Sequence, residues 1–405
     1  MFSTFLFSGA PLNQQFWGSF GRNTGLVTYV SLLLILLGTA LIQDVYFYRK
    51  LTNVFIFSSI PALLYCFVQI AGKDPIGWSE KRTFATFGNV NFLSAYLGMV
   101  SISCLSIIIG DKAFLAKRLL SASIVICSIP VIASTGSIQG IMVFCAGSFV
   151  IAGLFLRSIT RGKTWLVFYA LSGFSFSFFT ILALLNKGPL ARYIFQTSIT
   201  LRGDYMHAGI EMTTRKPFFG VGMDSYGDWY REVRGVLTTN RGSADRIANS
   251  AHNIFLDISS NGGIPLIAAY LAILLIALIG SCRVIIKSKN FDPIFSAIFA
   301  TWIGYQVQAA ISINQIAVGV WGWIISGSLL GYVRSSTSIK AIEEIEIKGM
   351  RSRKRVLSHK KIPNTPPATA TLFSVVGLLL GFLAAFLPFK SDMDYRTAVS
   401  QGRLE

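Results

Sequence analysis

The chain has 405 residues, of which 53% are hydrophobic and only 13% charged, about half the charged share of roughly 25% found in soluble domains. That balance excludes an ordinary soluble enzyme or binding module and leaves a membrane protein. The net charge of +18 invites a nucleic-acid reading, but much of the excess lies in short loops between apolar runs. There, attraction to anionic lipid accounts for it at about 1 kcal/mol per basic residue.

Ten apolar runs follow in chain order: 26–43, 54–71, 90–110, 119–134, 138–156, 165–185, 263–282, 293–313, 315–333 and 370–389. A helix rising 1.5 Å per residue needs about 17 to 25 residues to cross a hydrocarbon core of about 30 Å. Most runs qualify, and 119–134 is short. None of the 36 Lys and Arg or the 18 Asp and Glu falls inside a run, as expected where an unpaired charge is costly. The fold predicted is all-α, a polytopic transmembrane helical bundle of about ten spans with a partly helical cap loop.

Basic residues set the orientation, because cytoplasmic loops retain them. Loops 44–53, 111–118, 157–164, 283–292 and 334–369 hold 20, whereas the alternate loops, the long one aside, hold seven. The first set is therefore expected in the cytoplasm. Loop 186–262 has 77 residues, nine basic and seven acidic, and is placed on the outer face because loops beyond about 60 residues cross with little regard to charge.

The organisation expected is an N-terminal bundle of about six spans (1–185), the large outer loop (186–262), C-terminal spans (263–335), a basic cytoplasmic loop (336–369), a last span (370–389) and an outer tail (390–405) that is disordered by itself. Both ends then lie outside, which is unusual for a chain opening MFSTFLFSGAPLNQQFWG, and one or more upstream spans are expected to be missing.

All five cysteines lie inside apolar runs, where a thiol acts as a small hydrophobe and implies neither a disulfide framework nor a zinc site. The basic cluster GMRSRKRVLSHKK, 349–361, follows KAIEEIEIK, a short amphipathic helix expected on the inner membrane surface.

Chemistry, if the chain performs any, belongs to loop 186–262. Residues 203–216 have near-helical spacing of Tyr205, Ile210 and Met212, and Pro217 stops that helix. FFGVGMDSYGDWY follows, with Gly220, Gly222 and Gly227 permitting a tight backbone path. From 247 onward a helix is expected to place Asn249, His252 and Asn253 on one face, with NGG at 261–263 ending it or kinking it into the next span. His252 is one of only three histidines. It is either an interfacial side chain or a general base, since imidazole titrates near neutrality.

The stretches TRKPFFGVGMDSY and AHNIFLDISSNGGIPLIAAYLAIL resemble the signature of the bacterial O-antigen ligase and O-antigen polymerase superfamily, in which a Lys/Arg/His-Pro-hydrophobic-Gly-Val-Gly element is followed by His-Asn at the end of a large periplasmic loop. FATFGNVNFLSAYLGM, 84–99, is similar to that family's first outer-loop motif, and STGSIQG, 134–140, to its Ser-Arg-Gly turn. The resemblance covers about residues 17–335. It implies a metal-independent inverting glycosyltransferase of the bacterial inner membrane, working in the periplasm without a cofactor.

On that resemblance the donor is a glycan on undecaprenyl diphosphate. The acceptor is a sugar hydroxyl, on lipid A core for a ligase or on another lipid-linked repeat unit for a polymerase, or else a protein; membrane lipids and other envelope-biosynthesis proteins are the remaining partners. His252 takes the acceptor proton, and Arg202, about fifty residues earlier as in the family, holds the diphosphate. Where the family's turn offers a second diphosphate arginine, this chain has Ile138 followed by Gln139. Either Gln139 binds the diphosphate, or Arg215 or Arg241 substitutes, or the donor differs. Asn253, Arg241, Tyr226 and Trp229 are further substrate-binding candidates. Tyr226, Trp229 and Tyr230 offer sugar-stacking faces, or equally anchor the cap, while Asn89 and Asn91 are expected to cap a helix.

The residue types suit the chemistry. A diphosphate leaving group gathers negative charge in the transition state, which an always-charged bidentate guanidinium stabilises. A lipid or saccharide transporter is the rival, but the internal repeats and mid-membrane ionisable groups common in transporters are not evident. A non-catalytic scaffold would tolerate loss of His252.

Overall fold

A chain whose apolar runs exclude charge has to close every backbone hydrogen bond within its own segments, and in hydrocarbon a helix does so. In a computed structural model, every regular element among the described residues is a helix. The structure describes residues 1–401 apart from 20, 75–81, 111–114, 161, 196, 236–237, 239–246 and 351–367. It divides into Met1–Glu343 and Glu344–Glu405.

In the first unit two short helices, α1 (Phe2–Phe7) and α2 (Leu12–Trp17), precede α3 (Leu26–Leu41). Next, α4 (Val45–Phe57) and α5 (Ser59–Ile70) form one broken crossing, followed by α6 (Val90–Gly110), α7 (Leu115–Thr135), α8 (Gln139–Ile159) and α9 (Thr164–Leu184). The long loop contributes α10 (Ala191–Ile194), α11 (Thr197–Arg215) and α12 (Tyr226–Val233), before α13 (Ile254–Lys287), α14 (Pro293–Ile311) and α15 (Ile316–Met350).

Eight stretches are long and apolar enough to span: Val45–Ile70, α6, α7, α8, α9, α13, α14 and Ile316–Ser336. The short α3 and, in the second unit, α16 (Ala368–Gln401) correspond to the other two of the ten runs. The run that looked short, 119–134, is part of a 21-residue helix that takes in Lys117 and Arg118 near its start, where long basic side chains can reach the headgroups.

The centre of the first unit is α6, buried on nearly all sides against α7, α8 and α14. Small residues let its backbone approach that of α8 closely, as in membrane helix pairs generally. A Cβ on Gly98 would stand 2.6 Å from the Gly140 carbonyl oxygen, and one on Gly140 would stand 2.3 Å from that of Ser94. The Ser94 hydroxyl accepts from Gly140 N–H at 2.9 Å and donates to the Ser137 carbonyl at 3.2 Å. Asn89 caps α6, its side chain accepting from Asn91 N–H at 2.8 Å, and Ser137 Oγ donates to Asn91 Oδ1 at 2.7 Å. These bonds fix the turn 135–139 and hence the start of α8.

The long loop folds as a cap with its own small core of Ala208, Met212, Val221, Tyr226, Tyr230 and Ala251. Its glycine motif is pinned against the kink of α13. Val221 N–H donates to Ser260 O at 2.8 Å, Gly222 N–H to Asn261 O at 3.1 Å, and Ile264 N–H to Pro217 O at 2.7 Å. Gly263, with φ 76° and ψ 179°, breaks α13 into a short helix above and the span below, so NGG does kink the chain there.

Two expectations are corrected. Residues 247–253 are not helical: the chain is irregular up to Asn253, whose side chain accepts from Phe255 and Leu256 N–H and caps α13, the local competition that favours Asn at an N-cap over an interior position. The opening segment is tied to the cap, Asp224 accepting from Ser19 and Thr24 N–H at 2.7 and 3.3 Å. The tail expected to be disordered is helical to Gln401, since no Gly or Pro interrupts α16 between Phe389 and Gly402. The helix expected at 340–348 is the continuation of α15 to Met350; the basic cluster from 351 onward lies outside the described residues.

Candidate active site

His252 hangs in a four-residue loop tied to the first turn of α13. The Asp257 carboxylate accepts from Ser250 Oγ and from Ala251 N–H, both at 2.7 Å, and Ser250 Oγ in turn accepts from His252 N–H at 3.0 Å. With both flanks held, His252 takes a left-handed backbone, φ 54°, a conformation an L-residue keeps only when its surroundings enforce it. The imidazole lies against Tyr205 of α11, ring centroids 5.3 Å apart. Burial above all, and then the guanidiniums of Arg202 and Arg22, push its pKa down to about 4. The ring is therefore neutral at physiological pH, in the form a base requires.

Arg202, half-buried on α11, points to the same place. Its Nη1 donates to the Ile311 carbonyl at the end of α14 at 3.0 Å, while Asn253 Nδ2 donates to the neighbouring Ala310 carbonyl at 3.0 Å. A helix C-terminus leaves such carbonyls without partners and attracts cations, so the residue after the histidine and the arginine grip adjacent groups of one helix end.

Gln139 completes the cluster from the start of α8. Assigning its amide from the hydrogen-bond network, its oxygen accepts from Arg202 Nη1 and Nη2 at 3.1 and 3.2 Å and its nitrogen donates to Gln308 Oε1 at 3.0 Å. No carboxylate among the described residues pairs with Arg202, and burial lowers its pKa. A guanidinium held only by neutral acceptors keeps a charge that no carboxylate among the described residues balances.

Three of the other candidates do not join. Arg215 is thirteen residues beyond Arg202 on α11, about 20 Å at helical rise, and pairs with Glu211 and Glu232 at 2.9 and 3.1 Å. Tyr226 is fully buried in the cap core, its hydroxyl donating to the Tyr205 carbonyl, so its ring offers no open face. Trp229 lies under Lys216, whose Nζ is 5.4 Å from the ring centroid. Arg241 lies outside the described residues.

Sequence reasoning missed two arginines. Arg22, counted only as an orientation charge, is ion-paired with Asp224 at 3.4 Å, donates to the Asn249 carbonyl and contributes to the field at His252. Arg82 is exposed, and its guanidinium lies 3.8 Å from where a Cβ on Gly136 would stand, over the turn that lacks an arginine at Ile138. Nothing local marks either residue; only the fold brings them near.

Residues 93–271 match the family described as O-antigen ligase. That stretch is similar to an O-antigen ligase domain. The matched stretch contains Gln139, Arg202, the glycine motif and His252; the family it matches is of a glycosyltransferase-like class, and together with the eight membrane-capable helices it points to a multi-pass membrane protein. The carbonyls that Arg202 and Asn253 grip lie beyond that stretch, on α14. No curated protein matches the sequence.

Proposed function

We propose that the protein transfers a glycan from a lipid diphosphate, undecaprenyl diphosphate in a bacterial inner membrane, to a sugar hydroxyl on the periplasmic face. The observation that carries this reading is the neutral His252 imidazole beside the uncompensated Arg202 guanidinium, tied through Asn253 to the same helix end. The acceptor hydroxyl gives its proton to an imidazole nitrogen as its oxygen bonds to the anomeric carbon. The bond from that carbon to the diphosphate oxygen breaks on the opposite face, the electron pair leaving with the diphosphate, so the configuration inverts. Arg202 stabilises the charge arriving on the leaving group, and Gln139 holds the guanidinium fork in orientation.

The field at His252 supports an order of events. In the free protein burial above all, and then Arg202 and Arg22, depress the imidazole, making it a weak base. A bound diphosphate neutralises part of that field and raises its basicity, so donor binding prepares the base for the acceptor. A positioned base supplies about 10² to 10⁴ in rate. Arg82, over the turn at Gly136, takes the outer side of the diphosphate in place of an arginine at Ile138.

The test uses purified protein with a lipid-diphosphate-linked glycan and either lipid A core or a second lipid-linked repeat unit as acceptor. Transfer to core identifies a ligase and transfer to the repeat unit a polymerase. Failure to release the lipid diphosphate with either acceptor overturns the reading.

A further inference from the structure

The first 21 residues carry no Asp, Glu, Lys or Arg, yet they form two helices bound to the polar cap. One side of the pair makes those bonds: Thr4 Oγ donates to the Gly262 carbonyl at 3.3 Å, Gln14 Nε2 donates to the Asp224 carbonyl at 3.2 Å, and Gln15 Oε1 accepts from Met223 N–H at 3.2 Å. The other side is large, apolar and open. Phe2, Leu6, Phe7, Leu12 and Trp17 are each 58 to 65% exposed. The cap extends this surface with Phe218, 72% exposed, and Phe219, whose ring centroid lies 5.4 Å from that of Phe7.

The position of this surface indicates what covers it. Gly262 and Phe218 abut the kink at Gly263, where a Cβ would stand 2.6 Å from Phe218 backbone, and the exposed Ile264 begins the span immediately below. Met1 lines a cavity of about 140 Å³ together with Leu33 of α3 and Leu266, Ala269 and Ile273 of the α13 span. The apolar side of α1 and α2 thus adjoins α13 where the exposed apolar surface of that helix begins at Ile264. Helices that are apolar on one side, polar on the other and bear exposed Trp and Phe suit the boundary between headgroups and acyl chains.

We propose that α1 and α2, with Phe218 and Phe219, form a foot seated in the membrane interface on the cap side, its occupant the bilayer itself. The foot holds Asp224, and through it Arg22, against the bilayer surface, fixing the height of the cap where the head of a membrane-embedded substrate must lie. The proposal concerns membrane contact and stands whatever group the protein transfers.

The experiment is spin-label accessibility on the full chain in vesicles of phosphatidylethanolamine and phosphatidylglycerol. Nitroxides are placed at Leu6→Cys and, separately, Leu12→Cys, with Arg231→Cys on α12 as the solvent-facing reference and the exposed Cys282 replaced by Ser in each. Labels at 6 and 12 are expected to relax several-fold more with oxygen than with a water-soluble nickel chelate, and the label at 231 the reverse. A water-like profile at both 6 and 12 overturns the proposal. So does spin–spin broadening at 6 that disappears on dilution with unlabelled protein, because a second copy would then cover the face.

Discussion

Arg202→Lys keeps the charge and removes the fork. In the structure Nη1 and Nη2 both reach the Gln139 oxygen, at 3.1 and 3.2 Å, while Nη1 also holds the Ile311 carbonyl at 3.0 Å. An ammonium is a point charge on a flexible stem and cannot serve both acceptors and present a second N–H to a diphosphate at once. Losing one charge-assisted hydrogen bond costs about 1.5 to 3 kcal/mol, and the slack geometry brings the expected loss of transition-state stabilisation to about 2 to 3 kcal/mol. At about 1.4 kcal/mol per decade, kcat/KM for the lipid-linked donor falls roughly 30- to 150-fold. The assay is release of lipid diphosphate by purified protein, with thermal denaturation in the same detergent to confirm folding. Near wild-type turnover in a folded Arg202→Lys protein refutes the argument, because charge alone would then suffice.

The remaining predictions concern pH, positioning and the cap. The working form of His252 is neutral and its pKa is depressed to about 4, so kcat/KM is present above that pH and lost as pH falls through it; Arg202→Gln removes a depressing charge and moves the acid limb up, and an acid limb at or above the ordinary imidazole range in the parent contradicts the electrostatics. Asp257→Asn leaves one oxygen to accept where the carboxylate accepted at two, so kcat is expected to drop and the acid limb to rise as the imidazole loosens into solvent, whereas a merely destabilised protein would show a lower melting temperature with the limb unmoved. Gly220→Ala sets a left-handed alanine with its Cβ 2.4 Å from the Asn261 carbonyl carbon, about 2 to 5 kcal/mol of strain and overpacking together. Gly9→Ala, with φ +82° and nothing within 4 Å, should show only the smaller conformational cost, and equal losses of melting temperature would argue against the seam between glycine motif and kink.

Much of the fold was legible because one constraint governs it. Charge is expelled from hydrocarbon, so the gaps between Lys, Arg, Asp and Glu marked the crossings, and a long polar insertion marked the cap. What failed was local competition. Read by periodicity, 247–253 continued a helix, but Asn253 satisfies two free N–H groups of α13 better as its cap, and the Asp257 carboxylate bends 250–252 away. The chemistry-bearing types were visible in His252 and Arg202, and the departure at Ile138 drew attention to Gln139, which does meet Arg202. Distance along α11 removed Arg215, and burial removed the open face of Tyr226; neither can be read from spacing. Arg22 and the foot were hidden because residues 1–25 contact the cap some two hundred positions later, a long-range pairing through Asp224 that no periodicity signals.

The central claim is that a neutral imidazole at 252 deprotonates the acceptor. It is tested most directly by His252→Ala in the purified transfer assay, with donor binding measured separately. A fall in kcat of about 10² to 10⁴, with the donor still bound and the protein still folded, is the outcome predicted. Transfer at the parent rate by a folded His252→Ala protein would contradict it.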